Sequence, residues 1–263
     1  MRKKTILALV VVLVILGVAV VPAAAIKYGE YDGDGHPFVG LMIAQDANGT
    51  PLWRCSGTLI SPTVFLTAGH CTEAPAAHAE IWFYSTEAEI LANGYPFVGQ
   101  TGGDVYVHPD FYTAPFFVND VGVVVLDTPM FMDEYGALPE VNQFDALATK
   151  RGKQETTFTA VGYGLQFINP VFVEAERSRM VATPHLIQIN VPGFTGDFSL
   201  LLSNNHSTGG TCFGDSGGPN FYGDSNVVAG VTSFGINGNC AGTGGVFRMD
   251  RQNVLDFVTS FLD

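Results

Sequence analysis

The sequence predicts an all-β fold that ends in one α-helix. Short runs rich in β-branched and aromatic residues recur along the chain and are broken by Gly, Pro, Asn and Asp, which is typical of a barrel or sandwich. Apolar side chains recur at helical spacing only near the C-terminus. With 263 residues, 47% of them hydrophobic and 14% charged, the chain is long enough for one large domain or two small ones.

Six runs carry the strand prediction. In chain order they are 38–44, 57–68, 80–85, 121–126, 158–164 and 227–235. The segment 144–157 places three basic residues within four positions, so we interpret it as a solvated link between two halves. A terminal amphipathic helix over 251–262 is predicted from the apolar residues Val254, Leu255, Val258, Phe261 and Leu262.

Residues 1–25 have the form of a secretory signal peptide. The basic start MRKK is followed by the apolar stretch 5–21 and by PAAA at 22–25, which offers a small-residue cleavage site. An uncleaved membrane anchor is the alternative, because a bilayer is spanned by ~20 apolar residues. We expect cleavage after Ala25, with Ala23 as an alternative, and a protein that is secreted to the extracellular space or periplasm.

The charge balance bears on partners. Cleavage would leave nine basic side chains against 25 acidic ones, a formal charge of −16, and such a surface repels nucleic acid. No stretch after the signal peptide approaches membrane-spanning length, so we expect no membrane association once the signal is removed. We expect the mature protein to be a monomer.

Four cysteines remain in the exported chain, namely Cys55, Cys71, Cys212 and Cys240. An even number in an oxidising compartment predicts two disulfides, and three connectivities are open. A zinc site is the alternative, but no pair shows C-x-x-C spacing or a histidine at zinc-finger spacing. We therefore expect neither a metal nor a cofactor.

Three short stretches contain residue types suited to nucleophilic catalysis. GDSGGP places Ser216 among glycines, and Gly214 could direct its N–H toward the same point as the N–H of Ser216. TAGHC places His70 directly after a strand, and NDVGVV places Asp120 directly before one. Taken singly, the three stretches would be interpreted as a turn, a surface histidine and a carboxylate that is either exposed or paired.

Together and in this order, the three stretches resemble the motifs of the trypsin/chymotrypsin-like serine proteases. Further stretches are similar to that family as well: AVGYG at 160–164, VTSFG at 231–235 and GGVFRMD at 244–250. The resemblance covers almost the whole mature chain, 26–263. It implies two six-stranded antiparallel β-barrels, over about 26–140 and about 150–250, with the active site between them.

The resemblance also implies roles for particular residues. Ser216 would be the nucleophile, His70 the general base and Asp120 the residue that orients the histidine. The N–H groups of Gly214 and Ser216 would form the oxyanion hole. The substrates would be proteins or peptides. The implied disulfides are Cys55–Cys71 and Cys212–Cys240.

Substrate recognition is implied in the same way. Ser233 matches the serine that hydrogen-bonds the catalytic aspartate, and Ser233, Phe234 and Gly235 match the strand edge that pairs with the substrate backbone. Gly210 matches the base of the specificity pocket, while Gly235 and Gly245 match its walls. Three glycines and no carboxylate predict a pocket for a large apolar or aromatic side chain.

The new N-terminus is predicted to take part in activation. The resemblance implies that the ammonium of Ile26, freed by signal peptidase, pairs with Asp215. Two other functions are considered: a catalytically inactive homologue that binds peptides or proteins, and an esterase. Esterases of the G-x-S-x-G type carry the histidine after the serine, whereas His70 precedes Ser216.

Overall fold

The computed structural model describes residues 26–112, 118–148, 155–192 and 194–262. The predicted signal peptide and residues 149–154 of the predicted link lie outside these ranges. In the described part, no helix is both long and apolar enough to cross a membrane. The protein is mostly strand, with 40% strand and 9% helix, which confirms the predicted all-β class.

The first half of the chain forms a closed barrel of antiparallel strands. After the two-residue strand β1 (Glu30–Tyr31), the barrel strands are β2 (Val39–Gln45), β3 (Pro51–Leu59), β4 (Val64–Thr67), β5 (His78–Trp82), β6 (Thr101–Val107) and β7 (Gly122–Leu126). They pair in the closed order β2-β3-β4-β7-β6-β5. Apolar side chains such as Leu41, Phe65 and Val123 are buried in its core, because a barrel this small is filled by side chains.

The predicted run 57–68 is two strands rather than one. β3 ends at Leu59 and β4 begins at Val64. Pro62 lies between them and has no N–H to donate to a strand ladder, so the chain turns there. The turn brings β4 back beside β3, and β4 then leads directly to His70.

The second half forms a curled antiparallel sheet. Its strands are β8 (Phe158–Gly162), β9 (Phe167–Ile168), β10 (Val173–Glu174), β11 (Met180–Ala182), β12 (Leu186–Ile189), β13 (Ser199–Asn204), β14 (Pro219–Tyr222), β15 (Val228–Gly235) and β16 (Gly242–Arg248). The main sheet has eight strands in the order β1-β11-β8-β14-β15-β16-β13-β12, and β9 pairs with β10. The strand count exceeds the six implied by the resemblance partly because β1 pairs with β11.

Within the described ranges, helices are few and short. They are α1 (Gly69–Thr72), α2 (Glu87–Ala92), the 3₁₀ turn Asp145–Leu147 and α3 (Gln252–Thr259). Val254, Leu255 and Val258 of α3 are buried, so the predicted terminal helix is confirmed and is shorter than the predicted range. In the predicted link, Phe144 is buried rather than solvated.

A buried arginine fixes the two halves against each other. Arg179, which precedes β11, donates from Nε to Asp32 at 2.9 Å and from Nη1 to the carbonyl of Phe83 at 3.0 Å. The hydroxyl of Tyr163 donates to the carbonyls of Val39 and Tyr84 at 3.1 and 3.0 Å. These donors lie in the second half and their acceptors lie in the first. The hydrogen bonds therefore fix the position of one half relative to the other.

Candidate active site

Strand pairing brings His70 and Asp120 together. β4 and β7 are antiparallel neighbours, and Thr67 at the end of β4 lies opposite Gly122 at the start of β7. His70 lies on the single turn α1 that follows β4, and Asp120 lies just before β7. His70 Nδ1 is 2.9 Å from Asp120 Oδ2 and 3.1 Å from Oδ1.

The Asp120 carboxylate is fully buried and hydrogen-bonded at both oxygens. Its Oδ1 accepts from the backbone N–H of His70 at 2.9 Å. Its Oδ2 accepts from the hydroxyl of Ser233 at 2.5 Å, the contact that the resemblance implies for this serine. Donors on both oxygens offset the cost of burying the charge and hold the carboxylate against the imidazole.

The same contacts set the protonation of His70. Burial by itself disfavours the imidazolium, but the charge of Asp120 and its hydrogen bond outweigh burial, so the pKa of His70 is raised above the ordinary value of 6.5. The contact with Asp120 thus stabilises the imidazolium that a histidine forms when it acts as a general base.

Ser216 lies on a loop that contacts both halves of the molecule. Its carbonyl accepts from the N–H of Ser56 on β3 at 2.8 Å. The Ser56 hydroxyl donates to the carbonyl of Gly214 at 2.9 Å, and Gly217 N–H donates to Thr232 at 2.8 Å. Ser56 is a contact that the motifs do not reveal, and it holds the predicted nucleophile loop to the barrel that carries His70.

Gly214 has the backbone that the sequence predicts. Its φ is +94°, a conformation that favours glycine. A Cβ there would lie 3.0 Å from both Arg54 Nε and the Cα of Gly164, so a side chain is disfavoured by space as well. The side chain of Arg54, on β3, forms no ion pair or hydrogen bond with the part of the chain that the structure describes.

Asp215 is fully buried beside this loop. Its carboxylate accepts from the N–H groups of Gly164 at 2.7 Å and Cys212 at 2.8 Å. Burial raises the pKa of Asp215 to about 7, although these amides and the Arg54 charge oppose the rise. Within the described ranges Asp215 does not bond Ile26, whose nitrogen is a peptide nitrogen in the full-length chain.

The N-terminal segment packs into the second half. The Ile26 side chain is fully buried with Ala160, Met180 and Ala182. The carbonyl of Lys27 accepts from Gly210 N–H at 3.0 Å. The Nζ of Lys27 donates to the carbonyl of Asn239 at 2.5 Å, so the segment contacts the loops around the predicted pocket.

Both predicted disulfides, Cys55–Cys71 and Cys212–Cys240, are present, so all four cysteines are paired. Cys71 directly follows His70, and its bridge ties α1 to β3. Cys212 lies four residues before Ser216, and its bridge ties the nucleophile loop to the segment that precedes β16. The disulfides thus restrain both sides of the site.

A cavity of about 420 Å³ is lined by His70 and Ser216 together with residues from β13, β15 and β16. Thr232 and the edge of β15 from Ser233 to Gly235 line the cavity. Phe234 and Gly235 line the cavity as predicted. The proposed catalytic residues His70 and Ser216 therefore line the same cavity as the β15 positions predicted to bind substrate.

Two of the predicted pocket glycines require correction. A Cβ on Gly210 would lie 2.5 Å from Cγ of Asn204, so Asn204 fills the space that a glycine was expected to leave open. A Cβ on Gly245 would collide with the ring of Phe234, and Gly244 lines the cavity instead. The reason is the pairing of Gly235 with Gly244, which places Gly244 beside the cavity.

Comparisons with known proteins agree with this geometry. The Trypsin family profile matches residues 32–258. Brachyurin of Leptuca pugilator is 28% identical over 224 residues, covering 81% of this chain and 86% of brachyurin. Serine protease 1 of Drosophila melanogaster is 25% identical over 242 residues, covering 90% and 82%.

Solved structures share the fold. HL collagenase superposes with a TM-score of 0.66 at 20% identity, covering 89% of this chain and 96% of that protein. Human heparin binding protein superposes with a TM-score of 0.62 at 18% identity, covering 88% and 93%. Since the family profile spans most of the sequence, the chain belongs to the trypsin-like serine protease family.

Proposed function

We propose that the protein is a secreted serine endopeptidase that cleaves peptide bonds through an acyl-enzyme. The observation that carries this proposal is the contact of His70 Nδ1 with the buried Asp120 carboxylate at 2.9 Å, beside a cavity that Ser216 also lines. A histidine oriented by a carboxylate and facing a serine is the arrangement that activates a serine hydroxyl.

The mechanism follows the established template for this family. Ser216 Oγ attacks the scissile carbonyl carbon while His70 Nε2 takes the hydroxyl proton. The N–H groups of Gly214 and Ser216 stabilise the negative oxygen of the tetrahedral intermediate. His70 then gives its proton to the departing amine. Water, deprotonated by His70, attacks the ester that remains on Ser216, and His70 returns the proton to Ser216 Oγ as the acid product leaves.

Substrate backbone is proposed to bind along β15. The ladder of β15 with β14 runs from Val228 to Val231, and in the described chain no strand pairs with Ser233–Gly235 on that side. An extended peptide could add there as a further strand. The side chain before the cleaved bond would enter the adjacent cavity, which has room for a large apolar or aromatic group.

Activation is proposed to follow signal removal. A buried carboxylate without a cationic partner is unfavourable, and burial raises the pKa of Asp215 to about 7. An ammonium freed at Ile26 would supply the missing charge and stabilise the adjacent Gly214 loop. The buried position of Ile26 supports this proposal.

A non-catalytic binding protein is the alternative function. Human heparin binding protein, named for binding, shares the fold, and a fold alone does not establish catalysis. The His70–Asp120 contact favours the enzyme, because a binding protein has no need of an oriented histidine beside a half-buried serine.

The test is labelling of the secreted protein with a fluorescent fluorophosphonate. We expect stoichiometric label on Ser216, no label on Ser216→Ala, and full label on the matched control Ser207→Ala, which alters an exposed turn serine. A peptide library then identifies the cleaved bonds. Correctly folded wild-type protein that neither takes the label nor cleaves any peptide would support the binding alternative.

A further inference from the structure

Arg54 is an arginine whose charge has no counter-ion in the described chain. The other arginines that the structure describes each form an ion pair with Asp or Glu, namely Arg177, Arg179, Arg248 and Arg251. Arg54 forms neither an ion pair nor a hydrogen bond within the described ranges, although its side chain is half-buried. A guanidinium stays protonated in proteins and carries five N–H donors. Because burying a charge without a partner is unfavourable, this group is suited to bind an anion.

The guanidinium lies against the loop that carries Ser216. Arg54 and Ser56 are two residues apart on β3, so their side chains lie on the same face of the strand. The Ser56 hydroxyl donates to the carbonyl of Gly214. A Cβ on Gly214 would stand 3.0 Å from Nε and 3.2 Å from Nη2 of Arg54. The charge therefore lies directly beside one of the two proposed oxyanion donors.

Arg54 lies outside the cavity described above. The described residues that line that cavity come mainly from β13, β15, β16 and the loop that carries Ser216, and they do not include Arg54. β3 belongs to the first barrel, whereas β15 belongs to the sheet of the second half. An extended peptide that pairs with β15 up to the cleaved bond would continue past Ser216 and away from that sheet. Arg54 is therefore on the side where the leaving part of the peptide would pass.

The carboxylates whose charges act on Arg54 are Asp215 and Glu87, and both have other partners. Asp215 accepts two backbone hydrogen bonds and is the proposed partner of the Ile26 ammonium. Glu87 pairs with Arg177 at 2.6 Å. No nitrogen of Arg54 is among the fully buried, unpaired side-chain atoms of the described residues. Its donors can therefore be reached by a group from outside the chain.

We propose that Arg54 binds a carboxylate on the leaving part of the substrate, the part that follows the cleaved bond. This inference rests on the proposed peptidase function and refines its specificity. Two sources supply such a group: an Asp or Glu side chain at the first or second residue after the cleaved bond, and the C-terminal carboxylate of a substrate that ends there. Both would accept charge-assisted hydrogen bonds from the planar guanidinium.

The net charge of the protein acts against acidic substrates. After signal removal the formal charge is −16, and such a field repels an acidic peptide as it approaches. A preference for a carboxylate after the cleaved bond could not arise from this net charge. It would identify a local positive group.

The experiment compares kcat/KM of the wild-type protein for peptides built on one cleaved library sequence. Glu is compared with Gln, and Asp with Asn, at the first and at the second residue after the cleaved bond. A shorter peptide that ends two residues after the bond is compared as the free acid and as the amide. In at least one of these pairs we expect the carboxylate to be favoured roughly tenfold, the order of a charge-assisted hydrogen bond. The pair that responds identifies the source of the carboxylate.

Variants assign the effect to Arg54. In Arg54→Gln the preference for the carboxylate should fall to about one, while Arg54→Lys should keep part of it because the charge remains. The matched control is Arg251→Gln, which alters an arginine next to α3 that pairs with Asp145, and it should keep the whole preference. Each result is a ratio of two peptides on one protein, so partial misfolding of a variant cancels.

The outcomes separate the two proposals. Equal cleavage of carboxylate and neutral peptides by the wild type in every pair overturns the role of Arg54 while leaving the peptidase intact. An unchanged preference in Arg54→Gln, or an equal loss of preference in Arg251→Gln, overturns it as well. Absence of both cleavage and fluorophosphonate labelling of the wild type overturns the peptidase itself.

Discussion

The catalytic pair and the cavity beside it differ in how their buried polar groups are satisfied. Asp120 accepts hydrogen bonds at both oxygens from His70 and Ser233. In the cavity, Asn204 Oδ1 is buried and unpaired within the described chain. The His70–Asp120 pair is complete before any substrate arrives, as preorganised catalysis would require, whereas the wall of the cavity holds a buried acceptor that has no partner in the described chain.

The largest effect should come from the catalytic side of this comparison. Ser216→Ala or His70→Ala should lower kcat by about 10⁶-fold, and the double variant should lose little more, because the residues act as one unit. Steady-state kinetics on a cleaved library peptide measures this. Additive losses in the double variant would show that Ser216 and His70 act separately.

A smaller effect is expected from the N-terminus, which lies outside both regions and is proposed to stabilise the loop that carries Gly214 and Ser216. One extra residue before Ile26 should lower kcat/KM by at least tenfold, because the displaced ammonium cannot reach Asp215. The comparison uses two secreted forms whose N-termini are checked by sequencing, one starting at Ile26 and one extended. Full activity of the extended form would rule out the activation pair.

The proposed pairing of Ile26 with Asp215 should also change how the stability of the fold depends on pH. The pKa of Asp215 in the folded, unpaired state is about 7, above its unfolded value near 3.9. A raised acid pKa means that the folded state holds the extra proton, so stability falls as pH rises between these values. About three pH units at 1.36 kcal/mol each give a loss on the order of 4 kcal/mol.

Urea unfolding at pH 5 and pH 7.5 measures this loss. The extended form, carrying Ser216→Ala to prevent self-cleavage, should be less stable at pH 7.5. The form that starts at Ile26 should show much less of the loss, because the ammonium lowers the pKa of Asp215. The paired ammonium of Ile26 stabilises the fold fully below about pH 7.7, the pKa of an unfolded amino terminus. This stabilisation is lost as pH rises through the higher pKa of the folded state. Identical pH dependence in the two forms would contradict the pairing.

The smallest effect is a pH dependence that distinguishes the catalytic pair from the uncharged cavity. Since Asp120 raises the pKa of His70 above 6.5, kcat/KM should rise with pH and reach half its maximum above pH 6.5. The ratio of kcat/KM for two peptides that differ only in an uncharged side chain before the cleaved bond should stay constant over the same range, because the cavity lining contains no Asp, Glu, Lys or Arg among the described residues. Initial rates between pH 5.5 and 8.5 measure both, and a flat activity profile would exclude His70 as the base.

The raised pKa of His70 also makes the stability of the fold depend on pH. Its interaction with Asp120 stabilises the fold fully below about pH 6.5 and is lost as pH rises through the folded value. Activity and this contribution to stability therefore change in opposite directions over the same pH range.

The proposed catalytic positions could be selected from the sequence because each lies in a short local motif. His70, Asp120 and Ser216 follow or precede strands, and the antiparallel pairing of those strands does the rest. Helix α2 was not predicted, although Thr86 and Glu89 have the spacing of a capping box. Thr86 Oγ1 accepts from Glu89 N–H at 3.4 Å and donates to the Glu89 carboxylate at 2.6 Å. That signal was present in the sequence.

The pocket could not be predicted in the same way. Gly210 is a glycine in the expected place, but the space above it is filled by Asn204, which comes from strand β13 and contacts it only in the folded chain. The offset between Gly245 and Gly244 depends on the register of β15 with β16, where an irregularity falls between Thr232 and Phe234. Irregularities of this kind leave no clear mark in one sequence.

Ser56 makes the geometry of the nucleophile loop depend on the packing of the two halves against each other. It lies on the first barrel and bonds the carbonyls of Ser216 and Gly214 on the second half. If the halves separate, the nucleophile loop loses these bonds at the moment it leaves His70. Inactivation by heat or denaturant should therefore coincide with the first separation of the halves, and a fragment containing either half alone would have no residual turnover.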